Sequence, residues 1–385
     1  MRRLLLLISA FMFLELFFFA VLSPLLPGLK HDLHLSTAQT GLLVAMYALG
    51  ALVAAIPATL VAVRVGVKPT ALVSLATFAA MSVAFGLADS YPALLATRFA
   101  QGIAGAALWT AAMVWLLETA PAPRRGEMLG FAFGVSEAGA IAGPIAGGLA
   151  AAIGRGATFV GIGVCCLALG AAATRFAPPA AIVERRLPLH SMLSSANVRT
   201  AMWIAILPAI LLAAISVLAP LQQHRLGSGP GAIAATFGIA AAAGILIRPL
   251  FGRWSDRRGP LLPIRLGLLV SSPVVLAVPW IESRWALPLF VIAALVLTGV
   301  LWAPLMLMLS DACTAAGVGQ VMAVAIMDLT WPPGNVLGAS GGSAIAQAVG
   351  QRWAYAVIAA AILAGFVTLS RGRAAVPDPI YAPRA

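Results

Sequence analysis

Hydrophobic positions in this chain run continuously for long stretches, and polar positions collect in the short connections between them. A helix needs about 20 mostly apolar residues to cross a bilayer. Twelve runs meet that requirement, at 4–27, 40–63, 70–89, 92–118, 128–152, 157–176, 200–221, 231–251, 261–281, 286–310, 318–346 and 352–370. The first run follows Met1-Arg2-Arg3 and has the outline of a secretory leader. Glu15 interrupts its apolar core, however, and no convincing small-residue cleavage site follows, so it is read as a retained first span.

The longest polar connection, 177–199, carries Pro178, Pro179, Glu184, Arg185, Arg186 and Pro188 and divides the chain near its middle. A shift of 193 residues lays Pro27 on Pro220, His31 on His224, Arg64 on Arg257, Gly66 on Gly259, Trp109 on Trp302 and Gly126 on Gly319. One offset serving separate segments marks a duplicated six-span unit. The sequence therefore predicts an all-α integral membrane fold of twelve transmembrane helices in two six-helix parallel repeats. Its domains are an N-terminal bundle over 1–176, a cytoplasmic linker over 177–199, a C-terminal bundle over 200–370 and a cytoplasmic tail over 371–385.

Composition narrows the class. Hydrophobic residues make up 62% and charged residues 9%, against about 25% charged in soluble domains. That excludes a soluble enzyme, a disordered chain and a disulfide scaffold. The 24 basic and 12 acidic residues leave a net charge of +12. The basic residues sit in the connections, so the charge fixes topology, and no nucleic-acid partner is expected. With the N-terminus in the cytoplasm, 17 basic residues fall inside and 5 outside, leaving Arg98 and Arg248 within or near span ends. This predicts both termini inside. Cys165, Cys166 and Cys313 outline no disulfide framework, and four scattered histidines form no metal cluster.

Four stretches carry a family resemblance. Leu94–Gly102 is similar to an "LxxxRxxQG" pattern in span four, and Gly139–Gly148 matches the "GxxxGPxxGG" antiporter motif of span five. Gly252–Gly259 resembles the loop motif "GxLaDRxG", and Pro24-Leu-Leu-Pro27 resembles the "PxxP" end of a first-span motif. Together they resemble the major facilitator superfamily, and within it the twelve-span drug/proton antiporters. The resemblance implies conformational roles for Gly139, Gly143, Pro144, Gly147 and Gly148, and for Gly252, Asp256, Arg257 and Gly259. One departure stands out: the first-half loop motif has Val63 where the family usually has an aspartate, leaving Asp256 as the intact copy.

Ionisable groups inside a membrane are costly and mark functional candidates. Glu15 lies near the middle of span one, Glu137 about ten residues into span five and Asp328 a similar depth into span eleven. Burial favours the neutral carboxyl, which is what loading and releasing a proton requires. Each carboxylate has the alternative reading of a polar contact that glues helices together. Arg98 in span four has no basic counterpart one repeat later, where Val291 sits, so fold symmetry does not demand it. In the family the matching arginine is implicated in proton transfer. Trp109 and Trp302, equivalent by the repeat, and Asn335 are assigned to the substrate cavity.

The Gly139–Gly148 run reads as a close-packed pivot bent at Pro144. Span eleven carries a looser version, with Pro332, Pro333, Gly334 and Asn335 and then Gly338, Gly341 and Gly342, implying an irregular helix. Its G-x-S-x-G string lacks the strand-turn-helix setting of a hydrolase elbow. No phosphate-binding G-x-x-x-x-G-K-[ST] occurs, which removes a self-contained ATP-driven pump. No catalytic constellation or sizeable extramembrane domain supports a membrane enzyme or receptor.

The expected protein is a secondary active transporter, a monomer in a bacterial inner membrane. It carries no cofactor, draws on the proton gradient, and exports small lipophilic or cationic molecules by proton-coupled antiport. The alternative is uptake or export of a specific sugar, amino acid or organic anion by the same fold.

Overall fold

Long apolar runs bounded by glycine, proline and basic residues fold as helices because lipid offers no partner for an unpaired backbone group. The computed structural model of the chain describes residues 2–121, 125–177, 195–315 and 329–371. No strand occurs among the described residues. The helices are α1 (Arg2–Ala20), α2 (Leu26–Asp32), α3 (Thr37–Arg64), α4 (Val67–Leu87), α5 (Tyr91–Thr119), α6 (Arg125–Ile153) and α7 (Arg155–Ala173). They continue with α8 (Ala196–Arg225), α9 (Pro230–Arg258), α10 (Leu261–Ala277), α11 (Ala286–Gly299), α12 (Trp302–Ala315), α13 (Gly342–Val349) and α14 (Gln351–Arg371). Among the described residues, 11 stretches are long and apolar enough to cross a membrane, and they match eleven of the twelve expected runs. The remaining run, 318–346, is described from residue 329 onward and is helical there.

The prolines act where the sequence places them. Pro24 ends the first helix: a 3-10 turn at Ser23–Leu25 separates α1 from α2, since proline cannot donate to the preceding turn. Pro144, by contrast, lies inside a continuous α6. After Pro332 and Pro333 the irregularity expected in span eleven appears as a π-helical turn at Leu337–Gly341, running into α13.

Local geometry repeats along the chain. Among the described residues, positive φ occurs at His34, Gly66, Gly154, Gly227, Gly259 and Gly350. His34 and Gly227, and Gly66 and Gly259, are each 193 apart; Gly154 and Gly350 hold the corresponding place before α7 and α14. The His34 and Gly227 turns are the same helix cap. Leu35 N–H donates to Lys30 O at 2.9 Å, and Ser228 N–H donates to Gln223 O at 2.9 Å. Gly227 takes the left-handed backbone at no steric cost, whereas His34 adopts it with a side chain.

The chain falls into two compact units, Met1–Arg185 with Pro220–Ala242 and Arg186–Ala219 with Ala243–Ala385. In the first, α1 packs on α5 and α6, α3 on α5, and α4 on α5 and α7. Both ends of the α4–α7 pair are clamped by basic side chains on helix C-termini, where the dipole favours a cation. Lys68 Nζ donates at 2.7 Å to Thr174 O and Phe176 O, and Arg155 donates to Gly86 O and Ala88 O. In the second unit α10 packs on α11, α12 and α14, and α13 on α14. Arg265 there donates to Leu369 O near the end of α14. Trp280, Trp285 and Trp353 are 58%, 74% and 63% exposed, with Arg352 over Trp280 at 3.8 Å and Arg284 over Trp285 at 4.5 Å. Such exposed tryptophans suit a membrane–water interface.

Candidate transport site

Helix α5 carries a buried polar group in the first unit. Leu94, Arg98, Gln101 and Gly105 are spaced to share one helical face, and all four are buried. Arg98 is 1% exposed. Its Nη1 donates at 3.0 Å to the carbonyl of Phe18 on α1 and at 3.0 Å to Gln101 Oε1, one turn along its own helix. Its guanidinium carbon stands 4.7 Å from the centre of the Tyr47 ring on α3, within reach of a cation–π attraction. The Tyr47 hydroxyl in turn faces Glu15 of α1, 3.4 Å from its main-chain oxygen and 3.5 Å from Oε1. Glu15 is half-buried, 13 residues from the start of a stretch that runs Arg2–Asp32.

Tyr47 lies this deep because α5 offers no side chains to stop it. A methyl group on Gly102 would collide with the Tyr47 carbonyl oxygen, and one on Gly105 with the Tyr47 hydroxyl. Gly50, one turn along α3, meets the Phe99 carbonyl in the same way. The glycine of the span-four pattern thus sets the distance at which Arg98 and Tyr47 meet.

The span-five motif has an equally concrete role. Gly139, Gly143 and Gly147 lie at four-residue intervals on α6 and face the carbonyl oxygens of Phe13, Phe17 and Val21. A methyl group on Gly143 would stand 2.7 Å from Phe17 O and 3.0 Å from the Ala20 methyl. Gly148 turns toward Ala234 of α9, at 3.0 Å. In the second unit Gly334, Gly338 and Gly342 repeat the spacing against Ile206, Ile210 and Ala214 of α8. The second seam sits two residues later than the 193 offset would place it.

The other candidates are placed as follows. Glu137 is half-buried on α6, one turn beyond Phe133. Phe133 packs edge-to-face on Trp109 with ring centres 5.8 Å apart. The Trp109 Nε1 is buried with no partner among the described residues. Trp302 is half-buried at the start of α12. Asn335 is 2% exposed; its Nδ2 donates to Trp331 O at 2.9 Å, while Oδ1 is buried and unpartnered among the described residues. Of the loop motif, Gly252 has open space around it, Arg257 is exposed and Gly259 takes φ +76°. Asp328 and the side chain of Asp256 lie outside the described residues. Among the described residues no group of three metal-ligating side chains converges.

Sequence reasoning singled out Glu15 and Arg98 separately but missed Tyr47, which contacts both. A signal was present: Tyr47 is one of four tyrosines and lies ten residues into its span, whereas membrane tyrosines favour the interfaces.

The model of the Major Facilitator Superfamily matches residues 8–327. The chain belongs to that family: it is a multi-pass membrane transporter and not an enzyme. It is 37% identical over 123 residues to the tetracenomycin C resistance and export protein of Streptomyces glaucescens, a match covering 32% of this chain and 23% of that protein. It is 29% identical over 290 residues to the chloramphenicol resistance protein of Streptomyces lividans, covering 66% of this chain and 70% of the relative. Among solved structures it is similar to a bacterial homologue of the human lysosomal transporter Spinster, with a TM-score of 0.77, 18% identity and coverage of 95% and 96% of the two chains. That likeness shows the fold.

Proposed function

We propose that this transporter exports small lipophilic or cationic molecules in exchange for protons, with Glu15 as the group that loads and releases the proton. The observation that carries the reading is a carboxylate in the middle of a membrane-spanning stretch, facing a tyrosine hydroxyl whose ring bears a buried arginine. Membrane carboxylates are retained at such cost where charge must change during the cycle. The relatives named for tetracenomycin C export and chloramphenicol resistance support export of small organic molecules. Arg98 is held by Phe18 O and Gln101, which suits a fixed positive partner for the proton site better than a ligand for an anionic solute. The two six-span repeats, 1–176 and 200–370, alternate access to the site. The setting is a bacterial inner membrane with both termini cytoplasmic, and the proton gradient is the energy source.

The test uses purified protein in liposomes with an internal pH dye and a panel of cationic, neutral and anionic solutes, with Glu15→Gln alongside. Solute-dependent proton movement that disappears in the variant supports the reading. Solute flux without proton movement sinks antiport, and proton coupling that survives in the variant moves the site to Glu137 or Asp328.

A further inference from the structure

We propose that Tyr47 is the positioning residue that links the charge of Glu15 to the seat of Arg98, through a single hydroxyl hydrogen that has two acceptors. This rests on Glu15 being the proton site. The Tyr47 oxygen lies 3.5 Å from Glu15 Oε1 and 3.4 Å from Glu15 main-chain O, so the two acceptors are nearly equivalent in distance. A hydroxyl carries one hydrogen and donates well to one acceptor at a time. With Glu15 ionised, the carboxylate is the stronger acceptor and takes the hydrogen. With Glu15 protonated, the carboxyl carries its own O–H, and the tyrosine hydrogen turns to the main-chain oxygen. Tyr47 keeps its proton throughout; the transported proton adds to Glu15 Oε from water and leaves to water.

The ring transmits that choice because it is held on its other side. Arg98 lies over it at 4.7 Å and is itself fixed by Phe18 O and Gln101. Gly102 and Gly105 leave no slack between α3 and α5, since a methyl on either would strike Tyr47. Among the described residues, the ionisable groups in the middle of the helices around α1 are Tyr47 on α3, Arg98 on α5, Glu137 on α6 and the Cys165 and Cys166 thiols on α7. Of these, Tyr47 contacts the Glu15 carboxylate and Arg98 contacts Tyr47.

The experiment is an infrared pH titration of the full-length protein in liposomes, which needs no knowledge of the substrate. The C=O stretch of protonated Glu15 is identified by its loss in Glu15→Gln. Tyr47→Phe keeps the ring and the cation contact but removes the donor to the carboxylate. Its Glu15 band should titrate at a midpoint about half a pH unit or more above wild type, the equivalent of one modest hydrogen bond. Tyr47→Asn and Tyr47→Gln supply an N–H donor without the ring, and should return the midpoint toward wild type if the shift follows the donor. A wild-type midpoint in Tyr47→Phe overturns the role of Tyr47 while leaving Glu15 as the proton site. Absence of any titrating band that depends on Glu15 overturns both.

Discussion

Arg98 stands with its guanidinium carbon 4.7 Å above the Tyr47 ring while one of its nitrogens serves two oxygens, Phe18 O and Gln101 Oε1, each at 3.0 Å. Stacking on a ring while bridging two acceptors needs a planar, delocalised cation, so lysine is no substitute. Arg98→Lys is therefore expected to fold but to lower transport about tenfold or more, the loss of roughly one charged hydrogen bond. Arg98→Ala goes further by leaving Gln101 Oε1 and the Phe18 carbonyl without this donor, and should cost about 1–3 kcal/mol of stability. Thermal unfolding in detergent read beside liposome flux separates the two. Wild-type flux in Arg98→Lys would remove Arg98 from the transport machinery.

Gly102 sets how near α3 comes to α5. Gly102→Ala places a methyl against the Tyr47 carbonyl, a backbone atom that cannot swing aside. Overpacking of this kind costs about 1–3 kcal/mol. Gly130 on α6 has nothing within 4 Å of an added methyl, so Gly130→Ala should be neutral or slightly stabilising, as alanine is the better helix former. Equal melting temperatures for the two variants would contradict the close crossing.

The glycine seams were legible in part. The spacing Gly139, Gly143, Gly147 announced a close helix contact, but a helix pattern does not name its partner. Only the fold shows that the partner is the carbonyl row of Phe13, Phe17 and Val21. The span count and the twofold repeat were readable because lipid forces each span to be long and apolar, and the positive-φ residues confirm the repeat at matching places. Tyr47 was not singled out because its role comes from contacts 32 and 51 residues away along the chain, with Glu15 and Arg98. No periodicity within one helix encodes such pairs.

The seams α1–α6 and α8 against 334–342 belong to separate units. Gly143→Val and Gly338→Val each insert bulk against a carbonyl of the facing helix, Phe17 O or Ile210 O. Each should destabilise by about 1–3 kcal/mol. Sites that share no partners add to within about half a kcal/mol, so the double variant should lose the sum. Thermal or denaturant unfolding of the four proteins completes the cycle. A double variant no worse than either single one would mean that the two seams yield together.

Asn335 presents a conflict between stability and use. Its amide nitrogen is satisfied by Trp331 O at 2.9 Å, but Oδ1 is buried without a partner among the described residues. An unmatched buried oxygen costs about 1–3 kcal/mol, whereas the net worth of the nitrogen's bond is about 1 kcal/mol. Leucine has a similar volume and no polar atom, so Asn335→Leu should be as stable as wild type or slightly more so. If Oδ1 is kept for a hydrogen bond with the solute, the same change should lower flux about fivefold, the equivalent of about 1 kcal/mol. Asn335→Asp keeps an acceptor in that position and should retain more flux toward cationic solutes than Asn335→Leu does. Reduced stability with unchanged flux would instead assign Asn335 to holding the π-helical turn that follows it at Leu337–Gly341.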